Sequence, residues 1–185
     1  MARDAGESDV DLERELTVTV RVATPADITE IVRITNLAFR VEDFFIDGDR
    51  TDAADVAGRM AGEHAAFLVI DDGTSSALLA SAYVEIRGAR GYFAMLAVDP
   101  AQQQTGLGRR LFNAIEAYCR AAGCRALDIS VVNLRTELPP FYTKLGFEVT
   151  GTAPLTTHTL KQDAHFVLMS KTLDASTTPG SAIRW

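Results

Sequence analysis

With 185 residues, 47% of them hydrophobic, the chain is sized for one globular domain with a full core. No apolar run approaches a membrane span, and the charged N-terminus is unlike a secretion signal, so a cytoplasmic protein with no membrane partner is expected. A formal net charge of -7 argues against a non-specific nucleic-acid binder and tilts toward a neutral or cationic small partner.

Residues 1–16 carry Asp4, Glu7, Asp9, Asp11, Glu13 and Glu15 against Arg3 and Arg14, which is the composition of a solvated tail. From there Leu16, Val18, Val20 and Val22 alternate with polar residues, the period of a half-buried strand. Thr24-Pro25-Ala26-Asp27 reads as an N-cap, a proline at the first helical position and an acid in the first turn. The helix that follows places Ile28, Ile31, Val32, Leu37 and Phe39 among its apolar positions.

The run from Arg40 to Asp49 has no period. Its Phe44-Phe45-Ile46 cluster, flanked by acids, either lines an acceptor pocket or packs under the first helix. Thr51 to Ala61 predicts a short second helix, ending at Gly62. Ala65 to Ile70 and Ala77 to Ile86 predict two strands joined by an Asp-Gly turn, with Leu78, Ala80, Ala82, Val84 and Ile86 on one face of the second. After Gly88-Ala89-Arg90-Gly91, a central strand runs from Tyr92 to Val98, so three antiparallel strands form a meander.

That strand ends at Asp99-Pro100, crosses Gln103-Gln104-Thr105, and meets Gly106-Leu107-Gly108-Arg109-Arg110 at the head of a helix. The helix is signalled by Leu107, Leu111, Ile115, Tyr118, Cys119 and Ala122, with Gly123 as its stop. A helix N-terminus offers N–H groups without intrahelical partners at the positive end of its dipole, and glycine lets an anion approach them. A P-loop would need Lys-Ser or Lys-Thr after the second glycine, where Arg109-Arg110 stand, and a dinucleotide fingerprint would need a third glycine. A diphosphate held by backbone amides and arginine, without a metal, satisfies the pattern; so does a plain turn before an amphipathic helix.

Ala126 to Val132 predicts a strand that, reached through a helix, runs parallel to the central one. A splayed parallel pair would leave a slot between the two strands. Glu137 to Leu145 predicts a short helix with Pro139-Pro140 in its first turn, and Gly146 to Thr150 and His165 to Met169 predict two closing strands. Residues 174–185, rich in Ser, Thr, Pro and Gly, read as a second tail. Cys119 and Cys124 lack a metal or redox spacing and read as small buried hydrophobes, and His64, His158 and His165 stand singly, without metal-ligand spacing.

The order of hydrophobic strand, Gln103-x-x-Gly106-x-Gly108, amphipathic helix, second strand and Phe141-Tyr142-Thr143-Lys144-Leu145-Gly146-Phe147 resembles the GNAT superfamily of acetyl-CoA dependent N-acetyltransferases. The resemblance extends over a domain from residue 17 to 173. It implies an α/β fold in which a mixed, mostly antiparallel sheet of about seven strands is flanked by about four helices, with a splayed parallel pair at the centre. It also implies acetyl-CoA as co-substrate and direct transfer of acetyl to a primary amine, a small molecule more than a protein. Cofactor binding then falls to the backbone of Gln103, Gln104, Thr105, Gly106, Leu107, Gly108 and Arg109, and to the central strand at Leu96, Ala97 and Val98. The Leu96 N–H would face the acyl carbonyl and Val98 the pantetheine.

By the same resemblance Tyr142 matches the tyrosine that protonates the leaving thiolate in many members. Where some members carry a glutamate base on the central strand this chain has Tyr92, and Glu85 on the adjacent strand is the expected substitute, unless ordered water suffices. The asparagine that contacts coenzyme A in many members would fall at Arg135, whereas the asparagine here is Asn133. Asn133 is therefore a candidate cofactor contact and Arg135 a candidate for a substrate carboxylate, with Phe44 and Phe45 lining the acceptor pocket. Exposed edge strands near the C-terminus are compatible with a homodimer. A non-catalytic acyl-CoA-binding regulator is the competing reading of the missing glutamate.

Overall fold

The computed structural model describes residues 18–173 apart from 72, 74 and 75; both expected tails lie outside the described residues. Seven strands, β1 (Thr19–Val22), β2 (Ala65–Asp71), β3 (Leu78–Arg87), β4 (Arg90–Val98), β5 (Ala126–Val132), β6 (Glu148–Pro154) and β7 (His165–Thr172), form one sheet in the order β1-β2-β3-β4-β5-β7-β6. Four α-helices accompany it: α1 (Ile28–Ala38), α2 (Ala53–Met60), α3 (Leu107–Ala121) and α4 (Leu138–Lys144). Every strand pair is antiparallel except β4 with β5. Among the described residues no helix is long and apolar enough to cross a membrane.

The start of the domain is locked by local chemistry. Thr24 and Asp27 form a capping box around a 3₁₀ turn at Pro25–Asp27, and the Asp27 carboxylate accepts two hydrogen bonds of 2.8 Å from the Arg21 guanidinium on β1. That guanidinium holds the Asp27 carboxyl down at about 2.

The sheet buries both faces. On one, α3 lays Leu111, Ile115 and Cys119 against Leu68, Ile70, Ala82, Val84 and Phe93. On the other, Ile31 and Ile34 of α1 and Val56 of α2 cover Phe67, Val69, Tyr83 and Met95. Leu78 departs from the expected alternation: the β2–β3 register shifts between Ile70 and Asp71, so Leu78 joins the α1 face while Ala80, Ala82 and Val84 keep to the α3 face. Helix α3 packs so closely on β4 that a Cβ at Gly91 would collide with the Cys119 sulfur, which explains a glycine inside that strand. Cys119 and Cys124 are buried free thiols, and burial pushes the Cys119 thiol up to about 12.

The site is positioned by the parting of β4 from β5. They pair only at Arg90–Ala126, Gly91–Leu127 and Tyr92–Asp128. Beyond Tyr92, β4 stays with β3, whereas β5 stays with β7 through Val132. Sheet twist then carries the two strands apart. A bulge sharpens the divergence: Ala94 faces Tyr83 and Ala97 faces Ser81, so Met95 and Leu96 together oppose Ala82, with Met95 at φ 54°.

Candidate active site

The loop that follows β4 is shaped by its backbone. Asp99 caps a 3₁₀ turn at Pro100–Gln102 by accepting from the Ala101 N–H at 3.0 Å. Gln103 then has φ -67°, Gln104 65° and Gly106 88°, with Thr105 between them at negative φ. Alternating handedness of this kind curls successive N–H groups into an anion-binding concavity. Gly106 is the N-cap of α3, and no side chain caps that helix. A Cβ at Gly108 would make only ordinary contact, 3.5 Å, with Val98 Cγ2. Nothing in the protein therefore demands glycine there, and the side left open is a cavity of about 270 Å³ lined by Leu96, Val98, Gln103, Gln104, Gly106, Gly108 and Arg109. An extended diphosphate-bearing ligand fits this cradle. Leu107 lines it while burying its side chain, whereas Thr105 turns its hydroxyl onto the Gln102 carbonyl and Ala97 lies in the core.

This cavity shares Leu96, Val98, Gln103, Gln104, Phe141 and Tyr142 with a second one of about 630 Å³, which fills the gap between β4 and β5. Tyr142 stands where they meet, 9% exposed, its ring edge-on to Phe147 at 5.6 Å and to Phe93 at 6.0 Å. Burial pushes its phenol up to about 12, against the opposing pull of Arg135, so it keeps its proton through the neutral range.

At its far end the larger cavity shares Phe39, Glu42 and Arg50 with a third, of about 360 Å³, under the chain between α1 and α2. Glu42 is 4% exposed there. It accepts from Arg135 Nη1 at 3.1 Å, and Arg50 Nη1 lies 3.8 Å from its other oxygen. Burial raises the Glu42 carboxyl above the usual range, and the two guanidiniums pull it back. Arg135 also donates to Glu137 at 2.6 Å.

Several expected residues fall elsewhere. Glu85 lies opposite Tyr92 in register but lines none of these cavities; it pairs with Arg87 at 2.7 Å, which holds its carboxyl below the usual range and makes it a poorer base. Phe45 is fully buried against Ile46, Val132 and Leu155, and Phe44 stacks edge-on to it while 56% exposed, so neither lines the acceptor end. The aromatic there is Phe39, one turn earlier. Asn133 is occupied by β7: its N–H donates to the His165 carbonyl at 2.9 Å and its Oδ1 accepts from the His165 N–H at 2.8 Å. Arg135 does reach the cavity, tied to two glutamates.

Glu42 and Arg50 are the functional candidates the sequence reading passed over. Neither sits in a motif, and the available signal was the charge-rich, aperiodic run from Arg40 to Asp49, which contains Glu42 and stops one residue short of Arg50.

A family profile described as an acetyltransferase (GNAT) domain matches residues 40–173. Among solved structures, the ribosomal-protein-S18-alanine N-acetyltransferase of Escherichia coli superposes with a TM-score of 0.65 at 18% identity, over 90% of this chain and 99% of its own. An acetyltransferase-type protein from Salmonella typhimurium, solved with its cofactor acetyl-CoA, gives 0.63 at 20% identity over 90% and 99%. A GCN5-related N-acetyltransferase from Kribbella flavida gives 0.65 at 23% identity over 85% and 98%. At these identities the three structures speak to the fold alone. The matched profile runs from Arg40 through the glycine loop to the closing strands, and the chain belongs to the GNAT acetyltransferase family.

Proposed function

We propose that the protein transfers acetyl from acetyl-CoA to the primary amine of a small molecule, by direct attack in a ternary complex. The observation that carries this reading is a run of three neighbouring cavities, from the glycine loop, past Tyr142, to Glu42 and Arg50, each sharing lining residues with the next. Its two inner cavities, about 630 and 360 Å³, have the size of small-molecule sites.

The amides from Gln103 to Arg109 hold the diphosphate, and Val98 lies along the pantetheine arm. The bulge at Met95 and Leu96 interrupts the ladder with β3, which leaves the Leu96 N–H to polarise the acyl carbonyl. Acetyl-CoA supplies a thioester: the amine nitrogen bonds to its carbonyl carbon, the C–S bond breaks, and Tyr142 gives its proton to the departing sulfur. The proton lost by the amine leaves through water, because Glu42 is engaged by Arg135 and Glu85 by Arg87.

The test combines acetyl-CoA calorimetry with release of coenzyme A thiol across a panel of primary amines. Tyr142→Phe should lower kcat by about 100-fold and change the acetyl-CoA Kd by less than about twofold. Because burial holds the phenol near 12, the wild-type rate should show no falling limb from this group below about pH 10. Acetyl-CoA binding without transfer to any amine would overturn the enzyme in favour of an acyl-CoA-binding regulatory domain.

A further inference from the structure

Arg50 is the arginine whose surroundings do not account for it. Its side chain is 16% exposed, yet among the described residues its guanidinium donates no hydrogen bond to the protein, and the nearest carboxylate oxygen, on Glu42, is 3.8 Å away. Other guanidiniums in the molecule are matched: Arg21 meets Asp27 at 2.8 Å, Arg59 meets Asp55 at 3.0 Å and Arg90 meets Asp128 at 2.6 Å. The Arg50 Nη1 is buried without a hydrogen-bond partner, as is the Glu42 Oε2 that faces it, and a buried charged donor left unpaired is among the costlier things a fold can carry.

The pairing is also uneven locally. Glu42 is shared between Arg50 and Arg135, and the further partner of Arg135, Glu137, is 61% exposed to water. Asp43 and Asp49 on the rim of the smaller cavity are exposed as well. Arg135 is thus satisfied by two glutamates at hydrogen-bond distance, whereas Arg50 has only the longer 3.8 Å approach to Glu42. The Arg50 guanidinium lies over Phe39, whose ring centroid is 5.2 Å away, and the Arg50 backbone is fixed separately by His158, whose Nε2 lies 3.2 Å from the Arg50 carbonyl. Arg50 and Phe39 line both inner cavities, and the larger also reaches Leu96 and Tyr142.

We infer that Arg50 anchors a carboxylate on the acceptor, so that the amine substrate belongs to the amino-acid class. A planar monoanion matches the flat guanidinium fork of Arg50, whereas a phosphate dianion would bring surplus negative charge against Glu42. The inference rests on the acetyl-transfer reading for its reaction, though not for its binding chemistry. At this site the Arg50 guanidinium in the cavity wall, and not the net charge of -7, sets the group the acceptor presents.

The experiment compares amino acids with the corresponding amino acid amides, which keep the amine and side chain but lose the carboxylate. Wild-type kcat/KM should favour the acids by about 100-fold, and Arg50→Gln should reduce that ratio to about threefold or less, with Arg50→Lys between them. Acetyl-CoA calorimetry on each variant checks that the folded cofactor site persists. In parallel, calorimetry with coenzyme A present measures binding of N-acetyl amino acids against N-acetyl amino acid amides, which needs no turnover. Arg50-dependent binding of the acids without transfer to any amine would sustain this inference while removing the acetyl-transfer reading. Equal use of acids and amides by the wild type, an unchanged ratio in Arg50→Gln, or absence of both transfer and acid binding would overturn it.

Discussion

The two ends of this run of cavities are built from different materials. The cofactor end is main chain: φ values that alternate in sign from Gln103 to Gly106, an uncapped helix, and a glycine at 108 that packing does not require. The acceptor end is side chain: Phe39 and Glu42 from the turn after α1, Arg50 from the loop before α2, and Arg135 from the turn after β5. A backbone cradle recognises what all ligands of a class share, and it tolerates sequence change around it. A cluster of charged side chains recognises what distinguishes one ligand from another, and its members depend on each other. On the function proposed above, the first end would serve the chemistry shared by the family and the second this protein's choice of acceptor.

Substitutions can separate the two ends. The largest effect is expected from Gly106→Glu/Gly108→Glu, which should weaken acetyl-CoA by about 1,000-fold, or about 4 kcal/mol, in calorimetry. The carboxylates oppose the diphosphate, and a side chain at φ 88° adds backbone strain. Wild-type affinity in the folded double variant would reduce the loop to a plain turn. Next, Glu42→Gln should cost about 3 kcal/mol in urea unfolding, because it leaves Arg50 and Arg135 without their shared counter-ion, and should shift the acetyl-CoA Kd by less than about twofold. Unchanged stability would mean that Glu42 does not hold the acceptor end together. The smallest effect belongs to Glu85→Gln, whose partner Arg87 is half-exposed: kcat/KM should stay within about twofold and stability within about 1 kcal/mol. A large loss of rate there would return Glu85 to the site.

The sequence by itself determined the features that rest on neighbours along the chain. The helix behind Gly106 follows from the spacing of Leu107, Leu111 and Ile115, and the parallel placement of β5 follows from its being reached through that helix. The capping box at Thr24 and Asp27, the prolines in the first turn of α4 and the strand-loop-helix cradle are likewise short-range, since each is set by the torsional and hydrogen-bonding preferences of a few adjacent residues.

Tertiary structure decided what depends on distant partners. The bulge at Met95 and Leu96 and the displaced face of Leu78 are consequences of register with β3 and β2, which alternation within one strand does not encode. Phe45 looked available and went to the core, because Val132 and Leu155 arrive from far along the chain to cover it. Glu42 and Arg135 meet across 93 positions of sequence, and no pattern within either segment announces the other. A side-chain cluster assembled by such convergence becomes visible only when the sheet has parted and the loops around it have closed.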